Sequence, residues 1–295
     1  MNIRLENIQR FLAPLRYNFK LKIGVSIFLL LLMLGIFEPI INKFIIGGKN
    51  PIEIGLFKPL LPPSISHILG TDMWGRDTFA MLIAGLKYSL TIGLLAGAIS
   101  TLIGVVMALL SGYKGGIWDV SLNGFTNLML VIPSWPILAI IAAYVRKIDI
   151  VTMSILLAIF SWPVAARTIR AQVLSLKERA YVDLARITGL SDLEIIFLEI
   201  MPGLLPYIGV GFANSTIGAI LAETGLELIG LSPGNIVTLG LIVYWCMQWG
   251  VLSLGYPHLI LAPILCLVLI FLSLNLINIG LDEVYNPRLK KITGM

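Results

Sequence analysis

Long apolar runs bounded by charge constrain this chain more than any other feature. They cover 23–41, 88–111, 120–145, 150–166, 204–222 and 258–281, each near the ~20 residues a helix needs to cross a bilayer. Hydrocarbon offers backbone N–H and C=O groups no partners, so such runs satisfy themselves as helices. Of the 295 residues, 58% are hydrophobic and 13% charged, against about 25% charged in a soluble domain. The chain is expected to be an all-α integral membrane protein with six transmembrane helices, and its length is not to be divided into soluble domains.

Details within the runs fit that reading. Gly93, Gly97 and Gly104, with Ala96 and Ala108, supply small residues where helices approach closely. Pro133 and Pro136 interrupt the third run and Pro163 lies near the end of the fourth. They suit either a translocation pathway or ordinary kinked packing. Between runs, 1–22 is a basic leading segment whose FLAPLRYNF stretch could lie on the membrane surface. It holds no A-x-A-like cleavage site, so 23–41 reads as a retained span and not a signal peptide. The segment 42–87 is polar and carries Pro51, Pro59, Pro62 and Pro63; 282–295 is a short tail.

Basic residues orient the chain. The net charge of +5 could suggest nucleic acid, but the Lys and Arg are scattered among loops. With the N-terminus inside, inner segments hold five of the 21 in 1–22, Lys114, five from Arg167 to Arg186 and three from Arg288 to Lys291. Outer segments hold five from Lys43 to Lys87, and Arg146 and Lys147. The inner excess favours cytoplasmic N- and C-termini, 42–87 outside the cell membrane and 178–206 inside it.

The block 178–206 breaks the alternation of span and short loop. Ala180, Leu184 and Ile187 predict the packed face of a short helix, with Arg179, Asp183 and Arg186 clustered on another. Gly189 closes that helix, and Ser191 with Glu194 forms a capping box for a second. Leu193, Ile196, Phe197 and Ile200 predict the second helix's packed stripe, and Pro202 and Pro206 its end. A block so patterned is either a solvated helical loop or an element shaped for a groove on a soluble partner.

Asp183-Leu184-Ala185, then Gly189, then Met201-Pro202, resembles the EAA loop of ABC importer permeases. Further stretches resemble the dipeptide/oligopeptide/nickel permease family, "C" subunit type: LGTDMWGRD (69–77), SGYKGGIWD (111–119), WPVAARTIRAQVLSLKERAYVDLAR (162–186), AILAETGLELIGL (219–231) and NPRLKK (286–291). The similarity runs in order from 69 to 291. It implies a type I ABC importer permease fold, with the permease domain over 88–280, in the cell (inner) membrane. It implies a homologous permease partner, two cytoplasmic ATP-binding subunits and an external substrate-binding protein. Within the EAA loop it implies ATPase-coupling roles for Arg179, Tyr181, Asp183, Ala185, Arg186, Gly189, Leu190, Ser191 and Pro202. ATP and Mg would then be bound by the partners, leaving this chain no cofactor of its own.

No catalytic constellation is legible. The chain has no G-x4-G-K-[ST] phosphate loop, no H-E-x-x-H and no G-x-S-x-G. His67, His258, Cys246 and Cys266 are scattered without metal-ligand spacing. A passive channel would not need the docking block, and an intramembrane hydrolase would need a paired nucleophile and base. Four residues remain as candidates for a substrate pathway. Glu223 stands one turn from Glu227 at the end of the fifth run, and carboxylates there either cap the span in water or line a vestibule. Tyr244 and Trp245 gather with Trp249 and Tyr256 as an interfacial belt or a stacking surface. Asn214, like Asn123 and Asn127, serves as helix-to-helix glue or lines a polar path. The family makes an oligopeptide or dipeptide the first expected substrate. The loop after Leu231 is shorter than in peptide permeases, and with the nearby aromatics it makes an oligosaccharide the second. Nickel comes third, with no His/Cys cluster in the runs.

Overall fold

The computed structural model describes residues 18–145, 148–234 and 236–285. Helix α1 (Phe19–Ile36) opens on Asn18, whose side chain accepts the Leu21 N–H at 2.9 Å. The chain bends at Phe37 into α2 (Glu38–Ile46), with Pro39 in its first turn. Glu38 accepts from Lys87 Nζ at 2.9 Å and from Asn42 Nδ2 at 2.6 Å, which fastens α2 to the next helix.

That helix, α3 (Thr78–Lys114), has 37 residues, is capped by Asp77 and starts ten positions before the apolar run at 88. At ~1.5 Å per residue it is longer than the hydrocarbon core is thick. Helix α4 (Gly116–Val131) and helix α5 (Ser134–Tyr144) meet at an 80° bend, where Pro133 holds the backbone extended. The single run at 120–145 is thus two helices. Helix α6 (Ile150–Lys177) continues past 166 with Arg167, Arg170 and Lys177 in its last three turns. Helix α7 (Ala180–Ile187) is short. Helix α8 (Asp192–Leu228) includes a π-helical stretch, Ile195–Ile200. Helix α9 (Leu239–Gln248) is short and apolar, within what the sequence presented as a loop, and α10 (Pro257–Tyr285) follows. Among the described residues, five helices are long and apolar enough to cross a membrane, or six when the α4–α5 pair counts as one span. Among the described residues, extended pairing is limited to one bridge, Thr71 to Asp77. The FLAPLRYNF stretch, Arg146–Lys147 and NPRLKK lie wholly or mostly outside the described residues.

Helix α3 is central, packing on α6, α8 and α1. Small residues set those approaches: a Cβ on Gly97 would fall 2.2 Å from Thr216 Oγ1, and one on Gly104 2.9 Å from the Ala166 nitrogen. Without those side chains the backbones close to packing distance, which stabilises helix pairs where lipid is as apolar as the core. Helix α10 meets α1 in the same way at Gly24 and Gly280.

Candidate functional site

The block 178–206 folds as a helix, a glycine turn and a second helix. Gly189 sits at φ +85°, its N–H bonds to Arg186 O at 3.1 Å, and the Leu190 N–H bonds to Ala185 O at 3.2 Å. These two bonds close α7 as a Schellman motif, for which glycine is the favoured residue. Ser191 and Glu194 then cap each other: the Ser191 N–H donates to Glu194 Oε2 at 2.8 Å and the Glu194 N–H to Ser191 Oγ at 3.4 Å. Arg186 pairs with Asp183 at 3.1 Å.

The packed faces differ from those the spacing predicted. Helix α7 buries Val182 and Ala185, while Leu184 is 62% and Ile187 83% exposed. Both faces of this helix carry apolar residues, and the 182/185 face is the one that meets Val173, Ile195 and Ile200 in a shared core. In α8, Ile195 and Ile200 are buried, while Leu193, Phe197 and Leu198 are exposed. Pro202 and Pro206 do not end the helix. A proline offers no N–H to the carbonyl four residues back. The chain widens into a π turn just before Pro202, with the Met201 N–H reaching Ile196 O, and then continues. The block thus leaves Leu184, Ile187, Leu193 and Phe197 exposed, along with Arg179, Tyr181, Asp183 and Arg186.

A groove of about 320 Å³ opens between α5, α6 and α8. Its polar lining is neutral: Ser134, Ser161, Thr168, Asn214 and Ser215, beside the half-exposed indole of Trp135. Asn214, singled out from sequence, is in this lining, and its Oδ1 accepts from Asn278 Nδ2 of α10 at 2.7 Å. Glu223, Tyr244 and Trp245 are not. Glu223 and Glu227 are both 0% exposed, enclosed by α3, α8 and α9. Glu223 Oε1 accepts from Ser89 Oγ at 3.4 Å, and Ser89 Oγ accepts the Leu239 N–H at 3.1 Å. Glu227 Oε1 accepts the Thr238 hydroxyl, whose oxygen caps α9 by taking the Leu241 N–H at 3.2 Å. In this conformation the pair neither caps a span in water nor lines an open vestibule. It holds the start of α9 against α8 and α3.

Comparison with known proteins joins this geometry to a family. Residues 100–291 match the model for the binding-protein-dependent transport system inner membrane component. The chain belongs to that family. It is therefore a permease component of an ABC importer, a multi-pass inner-membrane protein with the type I permease fold. It is 33% identical to the oligopeptide transport system permease protein OppC of Mycobacterium tuberculosis (strain ATCC 25618 / H37Rv) over 231 residues, 77% of this chain and 78% of that one. It is 28% identical to OppC of Bacillus subtilis (strain 168) over 278 residues, covering 94% and 88%. It is 29% identical to the glutathione transport system permease protein GsiD of Pectobacterium atrosepticum over 235 residues, covering 77% and 75%. A permease of this kind works with ATP-binding and substrate-binding proteins.

The permease's 69–77 motif builds something the sequence did not disclose. The Arg76 guanidinium lies 4.5 Å from the ring centre of Trp74, 4.1 Å from that of Trp245 and 5.6 Å from that of Trp249. Asp72 pairs with it at 2.6 Å and also accepts the Trp74 and Arg76 N–H groups, both at 2.9 Å. Burial lowers the Arg76 pKa, and the Asp72 carboxylate opposes that by favouring the charged form. Trp245 thus closes a cation–π cage, and Tyr244 stands with its ring near Gly230. The groove residues Ser134 and Trp135 were also missed, because only the bend at Pro133 turns them toward α8.

Proposed function

We propose that this permease carries oligopeptides or dipeptides, as half of a transmembrane pathway completed by a second, homologous permease. The groove beside α8 carries the reading. Its neutral hydroxyl and amide groups can hydrogen-bond a peptide backbone without selecting for side-chain charge, and relatives named for oligopeptide and glutathione transport match most of the chain. The exposed indole of Trp135 in that groove favours an oligosaccharide as the second reading, since a sugar face stacks on an aromatic ring.

Energy comes from two cytoplasmic ATP-binding subunits, which hold the ATP and Mg. Their docking face is made of the exposed Leu184, Ile187, Leu193 and Phe197, with Arg179, Tyr181, Asp183 and Arg186. Ala185, Gly189, Leu190, Ser191 and Pro202 give that face its shape. The excess of Lys and Arg in the segments assigned to the inside supports cytoplasmic termini. ATP closes the ATPase dimer, the block turns with it, and α8, continuous with the block, tilts the pathway toward the external binding protein. A set of exposed apolar and charged residues, outside the long apolar stretches, is what a coupling partner needs and a passive channel does not.

The test is uptake by membrane vesicles holding the complete transporter and its binding protein, with labelled tripeptides and trisaccharides in parallel. ATP-dependent tripeptide uptake is expected. Uptake of the trisaccharide alone would transfer the assignment to the second reading, and uptake of either without ATP would sink the importer mechanism.

A further inference from the structure

The turn between α3 and α4 is bound from three sides. Helix α3 ends at Lys114, Gly115 and Gly116 reverse the chain at φ +69° and +56°, and α4 begins. Lys177, the last residue of α6, donates Nζ–H to the Gly112 carbonyl at 2.9 Å. Arg170, two turns back on α6, grips Asp119 through Nε and Nη2 at 2.6–2.9 Å. Tyr113 is held by neither of these. Its hydroxyl donates to Asp192 Oδ1 at 2.9 Å, and its ring centre lies 5.9 Å from the guanidinium carbon of Arg186.

One side chain of α3 therefore touches both halves of the block, α7 through Arg186 and α8 through Asp192. The two halves are also joined by the turn at Gly189, whose left-handed conformation is easily changed for glycine, and by the packing of Val182 and Ala185 beside Ile195 and Ile200. Tyr113 is only 8% exposed although it lies in the last turn of α3, and it belongs to the core that holds Val182, Ala185, Ile195 and Ile200. A hydroxyl donating to a carboxylate is among the stronger neutral-to-charged contacts, and this one is partly shielded from water.

We propose that Tyr113 is a positioning residue for ATP coupling: it fixes the angle between α7 and α8 and passes the block's rotation to α3 in parallel with α8. The proposal rests on 178–206 being the ATPase-docking element. Helix α3 packs on both α6 and α8, which line the groove, so a motion entering at Tyr113 reaches both walls. Without this bond the link from α3 to the block is left to apolar packing, which resists sliding less than a directional hydrogen bond does.

The test uses the complete transporter with its ATPases and binding protein. Uptake, ATP hydrolysis and ATPase copurification are measured on each preparation. Tyr113→Phe keeps the ring in the core and removes only the bond to Asp192. It should lower uptake per ATP hydrolysed by at least about threefold, with copurification and basal hydrolysis unchanged. Asp192→Ala should give the same loss, and the double variant should be no worse than either single one, because both remove one contact. A Tyr113→Phe transporter with the wild-type ratio, or losses that add in the double variant, would overturn the proposal. Ile187→Glu serves as the control for docking itself and should release the ATPases. If they stay bound, the docking reading fails and takes the role of Tyr113 with it. A wild-type ratio for Tyr113→Phe beside ATPase release by Ile187→Glu would remove the strut alone.

Discussion

The ring of Trp135 lies so close to Gly225 that a β-carbon on that glycine would fall 1.8 Å from Cζ2 and 2.0 Å from Cη2. No side chain fits there. Helix α5 therefore rests on the backbone of α8, and this contact sets the position of the indole on the groove wall.

Gly225→Ala must displace Trp135, and overpacking of this kind costs roughly 1–3 kcal/mol. The indole has the open groove to move into. Uptake is expected to fall about tenfold, with the complex still assembling. Trp135→Phe in the same background should recover part of the loss, because the smaller ring clears the methyl group. Wild-type uptake by Gly225→Ala would mean that the groove wall is not fixed at this point.

At Gly189 the situation is reversed. A β-carbon there meets no atom within 4 Å, so any effect of substitution comes from backbone strain at φ +85° and not from collision. Gly189→Val should cost about 1–2 kcal/mol in the left-handed region, loosen ATPase copurification and reduce transport, with membrane insertion intact. Gly189→Asn should fall between, since asparagine tolerates that region better. Equal behaviour of the two variants would argue against the strain account.

Glu227 and Thr238 give a stability prediction. Glu227→Gln leaves an oxygen to accept the Thr238 hydroxyl, so the purified complex should melt close to wild type. Glu227→Ala leaves a cavity and an unmatched hydroxyl in a region sealed from water, a loss on the order of 3 kcal/mol. Glu223→Gln keeps the acceptor for Ser89, and its uptake should match wild type. Reduced uptake by a normally assembled Glu223→Gln transporter would restore the carboxylate to the pathway.

Orientation is checked by labelling. Both Glu178 and Ser253 are exposed. In a Cys246→Ser, Cys266→Ser background, an impermeant thiol reagent applied to whole cells should label Ser253→Cys and leave Glu178→Cys untouched. Labelling at 178 would invert the topology proposed from the basic residues.

The spans were legible because hydrocarbon demands long apolar runs, and Gly97 and Gly104 announced their close approaches through size alone. Helix ends were less legible. Asp77 starts α3 ten residues early by capping, and Arg167 to Lys177 extend α6 beyond its apolar part, neither of which hydropathy registers. The turn at Gly189 and the Ser191–Glu194 box were readable, since both rest on local backbone chemistry. The packed face of α7 was not: Leu184 and Val182 are alike in polarity, and only the third dimension chooses between them. Pro202 read as a stop because a π turn leaves no mark in residue type. Asn214 was found by its polarity in an apolar run. Trp245 could not be assigned, because its partner, Arg76, is 169 positions away.

Asp77 and Tyr113 stand at opposite ends of α3, one next in sequence to Arg76 and the other bonded to Asp192 of the 178–206 block. Thirty-six positions separate them, about ten turns of an ideal helix at 3.6 residues per turn. A single residue inserted anywhere between them would turn one end by about 100° and lengthen the rod by ~1.5 Å. Length and phase along α3 are thus fixed together, and this span should tolerate substitution far better than insertion or deletion.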